Sequence, residues 1–260
     1  MSDGFGQDLT ACADLVRRGD PDRFRAAMAA PVAARRVLFP IYAFNVEVAR
    51  APWVTQESII AEMRLQWWRD ALDEIRAGGT VRRHEVATPL AAVLDGEGAA
   101  LLDELIVARR WDIYRDPFED AAHFDDHLTK TSGHLMLAVA RALGDAAPDV
   151  VLDVGRASGL AGWLRAIPAL EDAGRMPLVD GRESAVRDLA REGLARLKSA
   201  RTRRAEVSAA ARPALLAAWQ TDSVLTRAAA HPGDVAAGTL TPAPGRSSVA
   251  LMLRTMTGRW

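Results

Sequence analysis

Apolar side chains along this chain recur every three or four residues rather than on alternate positions, and that period predicts helices. In "EMRLQWWRDALDEI" Leu65, Trp68, Leu72 and Ile75 form a stripe at i, i+3, i+7 and i+10. Arg64, Arg69, Asp70 and Glu74 fall largely off it, and Gly78-Gly79 is the expected stop. The period also covers "IYAFNVEVARAPW", where Ile41, Phe44, Val48 and Ala51 recur near helical spacing. Further helical stretches begin at Leu101, His134 and Val150, the last expected to end at Pro168. Asp116-Pro117, and Gly144 with Pro148, separate them. Beyond a loop from Gly174 to Gly181 come "SAVRDLAREGLARLKSARTRRAEV" and "RPALLAAWQTDSVLTRAAA". The tail "TPAPGRSSVALMLRTM" reads as a Pro/Gly linker and a last helix packing Val249, Leu251, Met252 and Met256.

Valine and isoleucine are scattered rather than gathered in alternating runs, so the expected class is all-α. No fixed-period repeat and no long low-complexity linker divides the chain, and residues 1–260 are expected to form one domain. Gly155, Gly159 and Gly162 share one face of the helix from Val150, although each costs about 1 kcal/mol relative to alanine. Close approach of a neighbouring helix is the plainer explanation, and a ligand cavity the other.

Composition narrows the function classes. With 49% apolar and 26% charged residues, the 260-residue chain reads as an ordinary soluble globular protein. A formal net charge of -1 gives no reason to expect nucleic acid as a partner. Cys12 is the single cysteine, which excludes an intrachain disulfide and a thiolate metal cluster and points to a reducing, cytoplasmic setting. The segment "MSDGFGQDLTACADLVRRGD" resembles neither a secretory signal nor a transit peptide. No stretch reaches the roughly 18 apolar residues of a membrane span, while peripheral contact with an inner membrane stays open.

The order of "DPDRF", "APVAARRVLFPIYAFNVEVAR" and "RLQWWRDALDEI", followed by the Asp112 segment ending in "DPF", then "TKTSGHLM", "SGLAGWLRAI" and "GRMPL", resembles the squalene and phytoene synthase family over most of the chain. The resemblance implies an isoprenoid-synthase-like helical bundle around a central cavity, which joins two prenyl diphosphates head to head. Expelling a diphosphate needs Mg²⁺ to neutralise the developing charge, and Mg²⁺ takes carboxylate oxygens in near-octahedral geometry. Two D-x-x-x-D clusters on facing helices meet that need in the family. Here the first falls over Ala49, Arg50 and Trp53, none of them acidic. At the second, Arg165 matches but Ala166 replaces the adjoining acid, and Glu171 and Asp172 arrive about a turn late. Both clusters are dismantled at their expected places.

Tyr42, Asn45, Glu47, Arg50, Arg64, Asp70, Asp73, Asp112 and Arg165 are the candidate cavity or diphosphate-binding residues. Asp70, Asp73 and Glu74 lie at i, i+3 and i+4, so Asp70 with Glu74 is the candidate metal pair; on a helix carrying Arg64, Arg69 and Arg76, solvated ion pairing is the plainer role. His123, Asp126 and His127, with His134, have zinc-like spacing but neither a third placed ligand nor a general base, so a helix surface or cap is expected. The run "ARLKSARTRR" reads as a solvated basic face, with acidic lipid or an acidic partner as the alternative. No Walker A loop, dinucleotide fingerprint, nucleophile elbow or Cys-His nucleophile pattern occurs.

Three functions remain. The chain resembles a degenerate branch of the family that serves the assembly of respiratory complex I, which implies a non-catalytic binding or assembly protein with a protein partner. The alternative is an active prenyltransferase making phytoene or squalene-type isoprenoids, with Mg²⁺ held by Glu47, Asp70, Asp73 and Asp112. The third is a carrier whose old cavity holds a prenyl diphosphate or other lipid without reacting it.

Overall fold

Local signals set the helix boundaries. Asp20 caps a helix by accepting the backbone N–H of Arg23 at 3.0 Å, and Pro21 occupies the first helical position. Asp95 and Asp120 do the same for Gly98 and His123. The computed structural model describes residues 3–55, 57–114, 116–241, 244–257 and 260, with the side chains of 3–5, 244–248 and 256 left out.

The helices in chain order are α1 (Asp3–Gly19), α2 (Pro21–Ala29), α3 (Val32–Arg50), α4 (Ser58–Arg76), α5 (Ala87–Ala91), α6 (Gly96–Arg109), α7 (Trp111–Tyr114), α8 (Ala121–Leu128), α9 (His134–Leu143), α10 (Pro148–Asp172), α11 (Glu183–Thr202), α12 (Arg212–Leu215), α13 (Thr221–Ala230), α14 (Gly233–Ala236) and α15 (Pro244–Thr257). Among the described residues the only β pairing is an isolated bridge between Ala146 and Val207. The expected all-α class holds.

The long helix α10 runs through the bundle against α9, α11 and α13, while α3 packs on α1 and α4 on α6. Apolar positions distributed all round α10 and α3 bury both on several sides, as expected for central helices. Tyr42, Phe44, Leu38, Leu65 and Leu164 are among the largest fully buried side chains.

Several expectations are corrected. Pro168 does not end its helix: α10 continues to Asp172, and burial of Ile167 and Leu170 on either side holds the turn despite the missing donor. The stretch from Leu101 breaks between α6 and α7, and the stretch from Arg212 divides at a short 3₁₀ turn. On α15 Leu251 is buried, whereas Val249 and Met252 are exposed; the Met256 side chain lies outside the described residues.

The segment Thr129–Gly133 is a π-helical turn joining α8 to α9. It explains two of the three α10 glycines. A Cβ on Gly155 would lie 2.6 Å from the Gly133 Cα, and one on Gly159 would lie 2.7 Å from the Ser132 Cβ. Gly162 meets nothing within 4 Å.

Between α7, α8 and α10 the interior is filled by Trp111, Phe118, Phe124, His127 and Trp163, with neighbouring ring centroids 4.5–5.8 Å apart. His127 is therefore in the core rather than on a helix surface. Burial, reinforced by the charges of Arg109 and His123, pushes its imidazole down to about 3.

Two predictions follow from this packing. Replacing Gly155 by alanine forces the π turn away and destabilises by about 1–3 kcal/mol despite the better helix propensity, whereas Gly162→Ala stabilises by about 0.5–1 kcal/mol. Urea midpoints check the opposite signs. His127 is neutral when folded but protonates below about 6.5 when unfolded, so its contribution is complete above that pH and is lost as pH falls towards its folded value. Between pH 7.5 and 5 this amounts to about 2 kcal/mol, and His127→Phe should reduce the acid sensitivity of unfolding by that amount.

Candidate functional site

At one end of the bundle the α3–α4 connection, the start of α4, α7 and the segment after α10 enclose a cleft of about 540 Å³. The chain reaches it through a specific helix ending. Gly174 adopts φ +75, its N–H donates to the Glu171 carbonyl at 2.8 Å, and the Arg175 N–H donates to the Leu170 carbonyl at 3.0 Å. This is a Schellman ending, in which glycine takes the left-handed position at low cost. It turns Arg175 back into the cleft.

The Arg175 side chain is buried between two indoles, its guanidinium carbon 4.7 Å from the Trp53 ring centroid and 5.4 Å from that of Trp111. It donates to the Trp111 carbonyl at 3.4 Å and, more closely, to that of Asp112. Both indole faces and both carbonyls favour a cation, so the site selects and fixes a positive charge. Trp163 approaches Trp111 from the core side and donates its own N–H to the Pro177 carbonyl at 2.8 Å.

The candidate residues do not converge on one place. Asp112 lines the cleft, buried, with its carboxylate 3.2 Å from Arg109 Nη1. Arg50 is exposed at the end of α3, and Glu47 is half-buried one turn before it. Arg64 is exposed on α4. Exposed Asp70 accepts from Gln66 Nε2 at 2.8 Å, and Asp73 lies 3.3 Å from Arg76. Glu74 turns to Arg82 at 2.6 Å, and the hydrogen bonds from Arg82 hold its carboxyl below the usual range. Asp70 and Glu74 thus serve different partners.

A second, smaller cavity of about 180 Å³ collects another group, with Gly162 on its wall. Arg165 donates there to Asp22 at 2.8 Å and to Gln220 at 2.9 Å. Arg23, paired with Asp20, stands 5.9 Å from the ring centroid of buried Tyr42. Burial drives the Tyr42 hydroxyl well above its ordinary value. Asn45 is buried on α3, and its Oδ1 accepts no hydrogen bond among the described residues.

These positions do not fit the Mg²⁺ that the family chemistry requires. Ala49, Arg50 and Trp53 stand at the first cluster and Ala166 at the second, and a fixed guanidinium covers Trp53. Among the described residues no three His, Cys, Asp or Glu side chains gather as a metal site. Glu171 and Asp172 are exposed on the last turn of α10. Sequence reasoning missed Arg175 as a site residue although "GRMPL" was in view; the available signal was Gly174, whose helix-ending role aims the next side chain.

A profile described as squalene/phytoene synthase matches residues 16–180. A Drosophila melanogaster protein named NADH dehydrogenase (ubiquinone) complex I, assembly factor 6 homolog is 28% identical over 176 residues, covering 64% of this chain and 53% of that protein. The Bos taurus assembly factor 6 is 23% identical over 172 residues, covering 60% of this chain and 48% of its own length. The chain thus spans about half the length of these curated relatives. A crystal structure of a dehydrosqualene synthase in complex with ligand superposes with a TM-score of 0.80 at 14% identity, covering 98% of this chain and 97% of that one, a likeness of fold. With the profile match extending over more than half of its residues, the chain belongs to the squalene/phytoene synthase family.

Proposed function

We propose that this chain is a non-catalytic member of the family that acts as a binding and assembly factor for a respiratory NADH dehydrogenase. The observation that carries the proposal is the Arg175 guanidinium between Trp111 and Trp53, the latter standing where the family's first acidic cluster is expected. A fixed organic cation repels Mg²⁺ and supplies none of its oxygen ligands. The assembly-factor names of the relatives give the direction of the reading. Working as one helical unit in the cytoplasm, at or near the membrane carrying that complex, goes with it.

The active-synthase alternative needs Asp70, Asp73, Glu47 and Asp112 to share an ion. Asp70 and Asp73 instead point to Gln66 and Arg76, and Asp112 to Arg109. Among the described residues no three of these side chains gather as a ligand set.

Purified protein incubated with Mg²⁺ and farnesyl or geranylgeranyl diphosphate is expected to release no diphosphate above the protein-free rate. Deleting the gene should lower the amount of assembled NADH dehydrogenase, and both the unaltered chain and Asp70→Asn should restore it. Diphosphate release that disappears in Asp70→Asn would overturn the proposal.

A further inference from the structure

The basic run at the end of α11 divides in the folded chain. Arg196 turns to Asp125, Asp153 and Glu192, and Arg203 to Asp149 and Glu206, so these charges are matched within the protein. Arg201 and Arg204 instead meet Arg254 of α15 across an open cavity of about 680 Å³ that Leu253 and Trp260 also line.

The charges in that cavity do not balance. Arg201 Nη1 lies 3.0 Å from Asp222 Oδ2, and Arg254 Nη2 lies 4.0 Å from the same oxygen. Arg201 Nε donates to a main-chain oxygen of Trp260 at 3.0 Å. Arg204 is exposed and has no ion pair among the described residues. Asp222 is the one acidic side chain among the described lining residues, against the three guanidinium groups of Arg201, Arg204 and Arg254. Burial and the neighbouring charge of Arg201 push Arg254 below its ordinary value, as expected where a cation faces a cation.

The exposed face of α15 that continues from the cavity-lining Leu253 is apolar. Val249, Met252 and Leu253 are 59%, 63% and 56% exposed on α15, while Leu251 on the opposite side is buried and holds the helix to the bundle. Guanidinium groups bind phosphate oxygens in pairs, and a small soluble phosphate would leave the apolar trio without a role. An anionic phospholipid uses both, since its phosphate lies next to the boundary with the acyl chains. No described helix is long and apolar enough to cross a membrane, so such contact is made from the surface.

We propose that the cleft between α11 and α15 docks this protein on the surface of an anionic phospholipid bilayer. Arg201, Arg204 and Arg254 take the headgroup phosphates, and Val249, Met252 and Leu253 enter the headgroup–acyl boundary. This goes beyond the assembly-factor proposal and does not depend on it.

Flotation of the full chain with phosphatidylcholine vesicles, alone or with roughly one third phosphatidylglycerol, tests the docking. Binding is expected with the anionic vesicles and not with the neutral ones. Arg204→Glu and Met252→Asp, at exposed positions, should each weaken it about tenfold or more. Arg191→Glu makes the same charge change on an exposed part of α11 and should leave it unaltered. Absence of anionic binding, equal binding to neutral vesicles, or equal weakening by Arg191→Glu would overturn the inference. Retention by a polyglutamate peptide with no vesicle binding would assign the cleft to an acidic protein instead. Vesicle binding is read without prenyl diphosphates or complex assembly, so either proposal can fail alone.

Discussion

The guanidinium of Arg175 is the fixed charge around which the mouth of the bundle is arranged. Its position follows from backbone geometry: α10 ends at a left-handed glycine, and the reversing chain delivers the next side chain between Trp53 and Trp111. Two indole faces and two main-chain carbonyl oxygens take part in holding the charge. A divalent ion brought to the same place would meet like charge, and among the described residues no three acidic, histidine or cysteine side chains gather there to hold it. The non-acidic residues Ala49, Arg50, Trp53 and Ala166 and the Arg175 cation over Trp53 both oppose a divalent ion there.

The shell survives because its packing never depended on those acids. What joins α10 to the turn between α8 and α9 is the absence of side chains at Gly155, Gly159 and Gly133, which lets backbones approach within direct contact. What fills the interior beside it is the ring cluster around His127 and Trp163. Neither needs a metal or a substrate, which is how 14% identity remains compatible with a TM-score of 0.80.

Much of the fold was legible in the sequence because long amphipathic helices announce themselves by their period, as α4 does through Leu65, Trp68 and Leu72. Pro168 misled, since proline marks a missing donor but cannot report the burial of Ile167 and Leu170 that carries α10 past it. The missing acids were legible directly. Pairings were not: helical spacing allowed Asp70 and Glu74 to share a metal, whereas Gln66 on the same helix and Arg82 beyond it draw them apart. Burial of His127 and the convergence of Arg201, Arg204 and Arg254 depend on contacts distant in sequence, which no local pattern encodes.

The central claim, that a resident cation has replaced a divalent metal site, is tested most directly by titrating Mn²⁺ into the protein with farnesyl diphosphate present and following free Mn²⁺ by electron paramagnetic resonance. A cleft carrying the Arg175 cation predicts no saturable uptake beyond that of the diphosphate alone. Stoichiometric Mn²⁺ binding that requires both protein and diphosphate would contradict it.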